Sequence, residues 1–143
     1  MAALERSALL PFSAERMFAL VNDVRRYPEF VPWCAGAEVL AETDALIEAS
    51  LRLKRGGVEY RFTTRNTLTP VTAMRLELVD GPFTTFTGDW TFKALAEDAC
   101  KISLTLNFEY RGRLATAALG ALLNSSADTL VEAFCKRAKA LYG

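Results

Sequence analysis

The chain of 143 residues contains no histidine. That absence removes the usual general base near neutral pH, the Ser-His and Cys-His nucleophile pairs, and the commonest metal ligand. Charge of one sign is missing as well: 17 lysines and arginines meet 17 aspartates and glutamates. A net charge of zero argues against a general nucleic-acid binder and leaves only a local basic patch to consider. Cysteine is scarce. Cys34, Cys100 and Cys135 are far apart, odd in number and form no CxxC pair, so no zinc site or disulfide framework is expected, and three buried or half-buried thiols are. The N-terminus shows no basic segment followed by an apolar core, so no signal peptide is expected. The longest uncharged apolar run, Leu114 to Leu123, is about half a membrane span. These features predict a soluble, cytoplasmic protein of a reducing compartment.

What the chain does have is apolar residues, 51% of the total, enough for one domain over residues 1–143 with a real core. From Arg113 to Tyr142, the residues Leu114, Ala118, Leu122, Ala127, Leu130, Phe134, Ala138 and Leu141 recur mostly every three or four positions. That spacing predicts a long C-terminal helix with one apolar face, bent if Gly120 or Asn124-Ser125-Ser126 interrupts it. At the other end, Leu4 to Leu10 is a short strand. Ser13 is placed to cap a helix through Asn22, and Asp23 a second short turn that Pro28 stops.

Beyond the aromatic turn Tyr27-Pro28-Glu29-Phe30-Val31-Pro32-Trp33-Cys34 the period becomes two. Inward sets are Ala37, Val39, Ala41; Ile47, Ala49, Leu51, Leu53; Val58, Tyr60, Phe62, Thr64; Met74, Leu76, Leu78; Phe86, Trp90, Phe92; and Cys100 through Tyr110 at every second residue. Gly56-Gly57 and Asp80-Gly81-Pro82 are turn signals. The order is β-α-α followed by six consecutive strands and a helix. This is an α+β fold in which a curved antiparallel sheet of about seven strands wraps the C-terminal helix.

A twisted sheet of that width curls, and a helix across its concave face leaves space between them. Either large side chains fill that space or part of it stays open as a ligand cavity. The residues expected to line it are Tyr27, Phe30, Trp33, Tyr60, Phe62, Phe83, Phe86, Trp90, Phe92, Phe108, Leu119, Leu123 and Phe134. Tyr60, Tyr110, Thr64 and the Trp90 indole could donate hydrogen bonds within it.

Asp80 and Asp89 are the acids to weigh for proton chemistry, but a turn role for the first and solvation of the second are the simpler readings. Arg52, Lys54, Arg55, Arg61 and Arg65 could form a basic strip touching rRNA phosphate or an anionic membrane surface; cross-strand pairing with Glu48 and Glu59 is the alternative. Leu114 to Leu123, apolar nearly all round, could act as a lid over the cavity mouth that touches the bilayer during lipid exchange.

Several segments together resemble a known family: Pro11-Phe12-Ser13-Ala14-Glu15, Val21-Asn22-Asp23-Val24, Tyr27 to Cys34, Phe62-Thr63-Thr64-Arg65-Asn66, Val79-Asp80-Gly81-Pro82-Phe83, Trp90-Thr91-Phe92, and Ala133-Phe134 with Arg137-Ala138. Across essentially its whole length the chain is similar to the coenzyme Q-binding proteins and the bacterial ribosome association toxins. Both belong to the polyketide cyclase/START-like (SRPBCC) superfamily with the helix-grip fold. The resemblance implies a cavity between sheet and helix and, as in the mitochondrial members, binding of ubiquinone or another prenyl quinone or lipid in support of respiration. The bacterial resemblance implies instead a protein that blocks association of the ribosomal subunits. No required cofactor or metal is expected, and without histidine or an acid-base pair the cyclase chemistry of the superfamily name is not expected either.

Overall fold

A computed structural model describes residues 2–55, 58–81, 83–110 and 116–143, with side chains described over 3–54, 59–81, 83–109, 125 and 127–143. The strands are β1 (Ala2–Leu10), β2 (Cys34–Glu42), β3 (Leu46–Arg55), β4 (Val58–Thr69), β5 (Ala73–Asp80), β6 (Phe83–Ala96) and β7 (Ala99–Tyr110). They form one seven-stranded antiparallel sheet in the order β1-β7-β6-β5-β4-β3-β2. The helices are α1 (Ala14–Asn22), α2 (Tyr27–Phe30) and α3 (Thr116–Tyr142). Six strands in sequence make a meander, and β1 closes it by pairing with β7. The first and second strands therefore lie at opposite edges, so α1, a 3-10 turn over 24–26 and α2 must cross the sheet between them.

Local chemistry explains the entry into this crossing. Ser13 Oγ accepts the Arg16 amide at 3.2 Å, the N-cap expected of serine. The Asp23 carboxylate, by contrast, makes no capping hydrogen bond and lies 3.9 Å from Arg26. Pro28 does not stop the turn; it sits within the first turn of α2, where the missing N–H has no helical partner to lose.

The core lies between one face of the sheet and the helices. On β7 every second residue from Cys100 to Phe108 is buried. Among the described side chains of α3 the buried ones are Ala127, Val131, Ala133, Phe134 and Ala138. Leu141, placed on that face by periodicity, is 52% exposed. The last turn docks instead through Tyr142, whose ring lies 5.9 Å from Phe12 and under the Arg16 guanidinium at 5.1 Å. The buried stripe runs from Ala138 to Tyr142, one turn on, which leaves Leu141 about 100° away on the solvent side.

Ionic and stacking contacts fix the angle of α3. Arg6 of β1 pairs with Asp128, while Arg137 bonds Glu29 of α2 at 3.3 Å and lies over the Phe30 ring at 5.1 Å. Gly88 on β6 marks a close approach, because a Cβ there would stand 2.9 Å from a Leu106 methyl. Asp89 is bound by Arg75 at 2.7 Å on the outer face, and Asp80 ends β5 in solvent.

Candidate functional site

Between the sheet and the helices the side chains leave a cavity of about 80 Å³. Its wall draws on eight elements and the loop before β2. Val24 and Tyr27 come from the crossing segment, with Trp33 just before β2. Ala49, Leu51 and Leu53 come from β3, Phe62, Thr64 and Asn66 from β4, and Met74 and Leu76 from β5. Phe86 and Trp90 of β6, Leu104 and Leu106 of β7, and Ala127 and Leu130 of α3 complete it. The period of two carries these residues to one face, and the small side chains Ala49, Thr64 and Ala127 leave the space that their larger neighbours do not fill.

Of the residues expected to line the cavity, the structure brings Tyr27, Trp33, Phe62, Phe86 and Trp90 around it. Others it places elsewhere. Phe30 packs outside, against Tyr27 and Phe134 at 6.0 and 5.5 Å, and borders a surface groove. Phe83 lies 5.1 Å from Phe86 and 6.2 Å from Phe108; a register shift between Phe83 and Thr85 turns both Phe83 and Phe86 inward. Phe92 stacks on Trp90 at 6.2 Å and meets Phe18 edge-on at 5.3 Å, while Phe134 meets Trp90 at 5.5 Å. Phe83, Phe92, Phe108 and Phe134 are thus filled core beside the cavity. Tyr60 is half-buried and does not line it. The side chains of Leu119, Leu123 and Tyr110, like the lid expected over Leu114 to Leu123, lie outside the described residues.

Polar groups in the wall are few. The Tyr27 hydroxyl donates to the Val21 carbonyl, and burial, with smaller contributions from Cys34 and Asp23, pushes its pKa far above the ordinary phenol value. Thr64 Oγ1 donates to Asn66 Oδ1 at 2.8 Å. No carboxylate, lysine, arginine or cysteine is among the described lining residues. Asn66 was missed as a site residue, yet its signal was present: it sits on the inward register of β4 with Phe62, Thr64 and Leu68.

Three arginines of the basic strip each meet an acid. Arg52 lies 3.6 Å from Glu59, Arg61 3.6 Å from Glu38, and Arg65 3.1 Å from Glu48. Lys54 stands across from Glu59 in the β3–β4 register, and the Arg55 side chain lies outside the described residues. No described helix is long and apolar enough to cross a membrane.

Burial also raises the pKa of all three free thiols. Raised folded-state values mean that this stability is present below the unfolded pKa and lost as pH rises. Urea unfolding should therefore show stability falling above about pH 8.5 as unfolded thiols ionise, and again above about pH 10 from Tyr27. Tyr27→Phe should flatten the second fall while costing about 1–3 kcal/mol at pH 8 for the stranded Val21 carbonyl.

Comparison with known proteins agrees with this architecture. Residues 10–135 match the family model described as polyketide cyclase / dehydrase and lipid transport. The ribosome association toxin RatA of Pseudomonas aeruginosa is 53% identical over 98% of this chain and 97% of its own length. A mitochondrial coenzyme Q-binding protein COQ10 homolog B of Xenopus laevis is 28% identical over 96% of this chain, which spans 58% of that protein. The crystal structure of the Zhui aromatase/cyclase of Streptomyces superimposes with a TM-score of 0.89 at 18% identity, covering 96% of this chain and 93% of that one. The family model over residues 10–135 and 53% identity to RatA along nearly the whole chain make this protein a member of the polyketide cyclase / dehydrase and lipid transport family, related to the ribosome association toxins.

Proposed function

We propose that this protein binds a neutral hydrophobic ligand, ubiquinone or a related prenyl quinone, between its sheet and α3, and acts as a carrier or chaperone for it in support of respiration. The observation that carries this reading is the cavity itself: an apolar wall with flat aromatic faces and few polar groups. Its volume of about 80 Å³ is below the roughly 300–1,000 Å³ of ordinary ligand pockets, so a ring enters as flexible side chains such as Leu51, Leu76 and Leu130 give way. The name of the Xenopus relative supports the same ligand class. Binding rather than catalysis is favoured because the described lining carries no acid-base pair or nucleophile. Such a carrier works in the cytoplasm and at the inner-membrane surface, where its ligand partitions.

Native mass spectrometry of protein purified without detergent, followed by organic extraction, tests this reading. A prenyl quinone at near-stoichiometric amount is the expected result. A protein that is empty and refuses added quinone overturns it.

The second reading is a protein that binds the ribosome and blocks subunit association, favoured by 53% identity to a protein of that name. If the β3–β4 arginines carry such contacts, reversing Arg61 and Arg65 to glutamate abolishes the effect on subunit association in sucrose gradients. Glu38 and Glu48 beside these arginines oppose an approaching phosphate, which is why the cavity is preferred.

A further inference from the structure

Inside the apolar wall, Thr64 and Asn66 are 5% and 4% exposed. The register sets Asn66 between Ile47 on β3 and Leu76 on β5, neighbours with no side-chain acceptor to offer. Thr64 donates to Oδ1, so one end of the amide is engaged. The other end, the NH2 group with two donors, has no hydrogen-bond partner among the described residues, while the side chain lines the cavity. An amide donor on an apolar cavity wall has no acceptor in the wall itself, and a ligand in the cavity can supply one.

We propose that Asn66 is the recognition residue of the cavity, donating to a carbonyl oxygen of a neutral ring, and that Thr64 is the positioning residue that turns the amide nitrogen toward that oxygen. The rest of the wall narrows the ligand class. With no cation among the described lining residues, a carboxylate or phosphate head would be buried without a counter-charge. Two indoles and two phenyl rings, from Trp33, Trp90, Phe62 and Phe86, offer faces for a flat ring. An alkyl or isoprenoid tail needs only the remaining aliphatic wall. A neutral carbonyl-bearing ring with an apolar tail satisfies each of these; a fatty acid or phospholipid head does not. This inference rests on the cavity being a ligand site, and the experiment separates failure of one from failure of the other.

Two probes with equal tails, decyl-ubiquinone and decylbenzene, are titrated into the full chain, with the heat of binding measured by calorimetry as the readout. Wild-type protein should bind both. Asn66→Leu, close in volume and without donors, should bind decyl-ubiquinone roughly tenfold more weakly and decylbenzene undiminished. Equal quinone affinity in wild type and variant overturns the role of Asn66 and leaves the hydrophobic-ligand reading intact. An equal loss for both probes makes Asn66 structural and overturns it too. If wild-type protein binds neither probe, the ligand reading falls and this inference with it. Should Asn66→Leu fail to fold, Thr64→Val decides. About threefold weaker quinone binding with decylbenzene unchanged is expected, and unchanged quinone binding overturns the proposal.

Discussion

Phe134→Ala should cost about 3–5 kcal/mol, enough to leave much of the protein unfolded at 37 °C. Phe134 is 0% exposed and sits on the face of α3 where the helix meets both the sheet and the crossing segment. Its ring makes edge contacts with Tyr27 at 5.4 Å, Phe30 at 5.5 Å and Trp90 at 5.5 Å. Truncation removes the transfer free energy of the ring and the quadrupolar contacts with three neighbours, and leaves a void that three rings of fixed shape cannot collapse to fill. Phe134→Leu keeps most of the volume and should cost clearly less. Thermal unfolding followed by circular dichroism reads the difference. At about 3–4 °C per kcal/mol for a domain of this size, Phe134→Ala should melt roughly 10–20 °C below wild type. A drop of only a degree or two would mean that α3 is held by its flanking contacts, Arg6–Asp128 and Arg137–Glu29, and not by the buried ring.

Trp90→Ala should be comparably destabilising, about 3–5 kcal/mol, but with a distinguishing feature: the loss should be partly recovered by a small neutral aromatic compound. Trp90 is at once core and cavity wall, stacked on Phe92 at 6.2 Å and met edge-on by Phe134. Removing the indole merges its volume with the cavity of about 80 Å³, giving an apolar space large enough for a ring. Benzene or indole added at millimolar concentration should raise the melting temperature of Trp90→Ala clearly more than that of wild type, because the enlarged cavity takes the ring without displacing side chains and binding to the folded state alone stabilises it. The two changes should not add. Phe134 and Trp90 touch, so the doubly substituted protein should depart from the sum by about 0.5–1.5 kcal/mol. An additive result would place the two rings in separately relaxing parts of the core.

How much of this was legible from residues alone depends on which physical signal carried it. Alternation along β3, β4 and β7 and the three-to-four spacing on α3 state which face of each element turns inward, because side-chain direction is a property of the local backbone. The strand count, the α+β order, the Ser13 cap and the inward registers of Phe62, Phe86 and Trp90 followed from that. The sequence also held the polar exception, Asn66, on an otherwise apolar register, and the acidic residues opposite the β3–β4 arginines. What remained open was depth. Periodicity says that Phe86, Phe92 and Phe108 point the same way; it does not say that Phe86 meets an empty volume while Phe92 and Phe108 meet Phe18 and Phe83. Depth is set by how far the sheet curls and at what angle α3 lies, and those are sums of long-range contacts such as Arg6 with Asp128, 122 residues away. Bulges shift registers that simple alternation assumes constant, so Phe83 and Phe86 share a face across a register shift that no local rule announces. The end of α3 teaches the same lesson, since Leu141 keeps the helical period but it is Tyr142 that meets Phe12 and turns Leu141 to solvent. For this protein the sequence by itself determined the elements, their order and the chemistry available to the interior. Only the tertiary structure decided where that interior stays open and that Thr64 and Asn66 face the opening, because a cavity is the difference between packed volumes and no single element contains it.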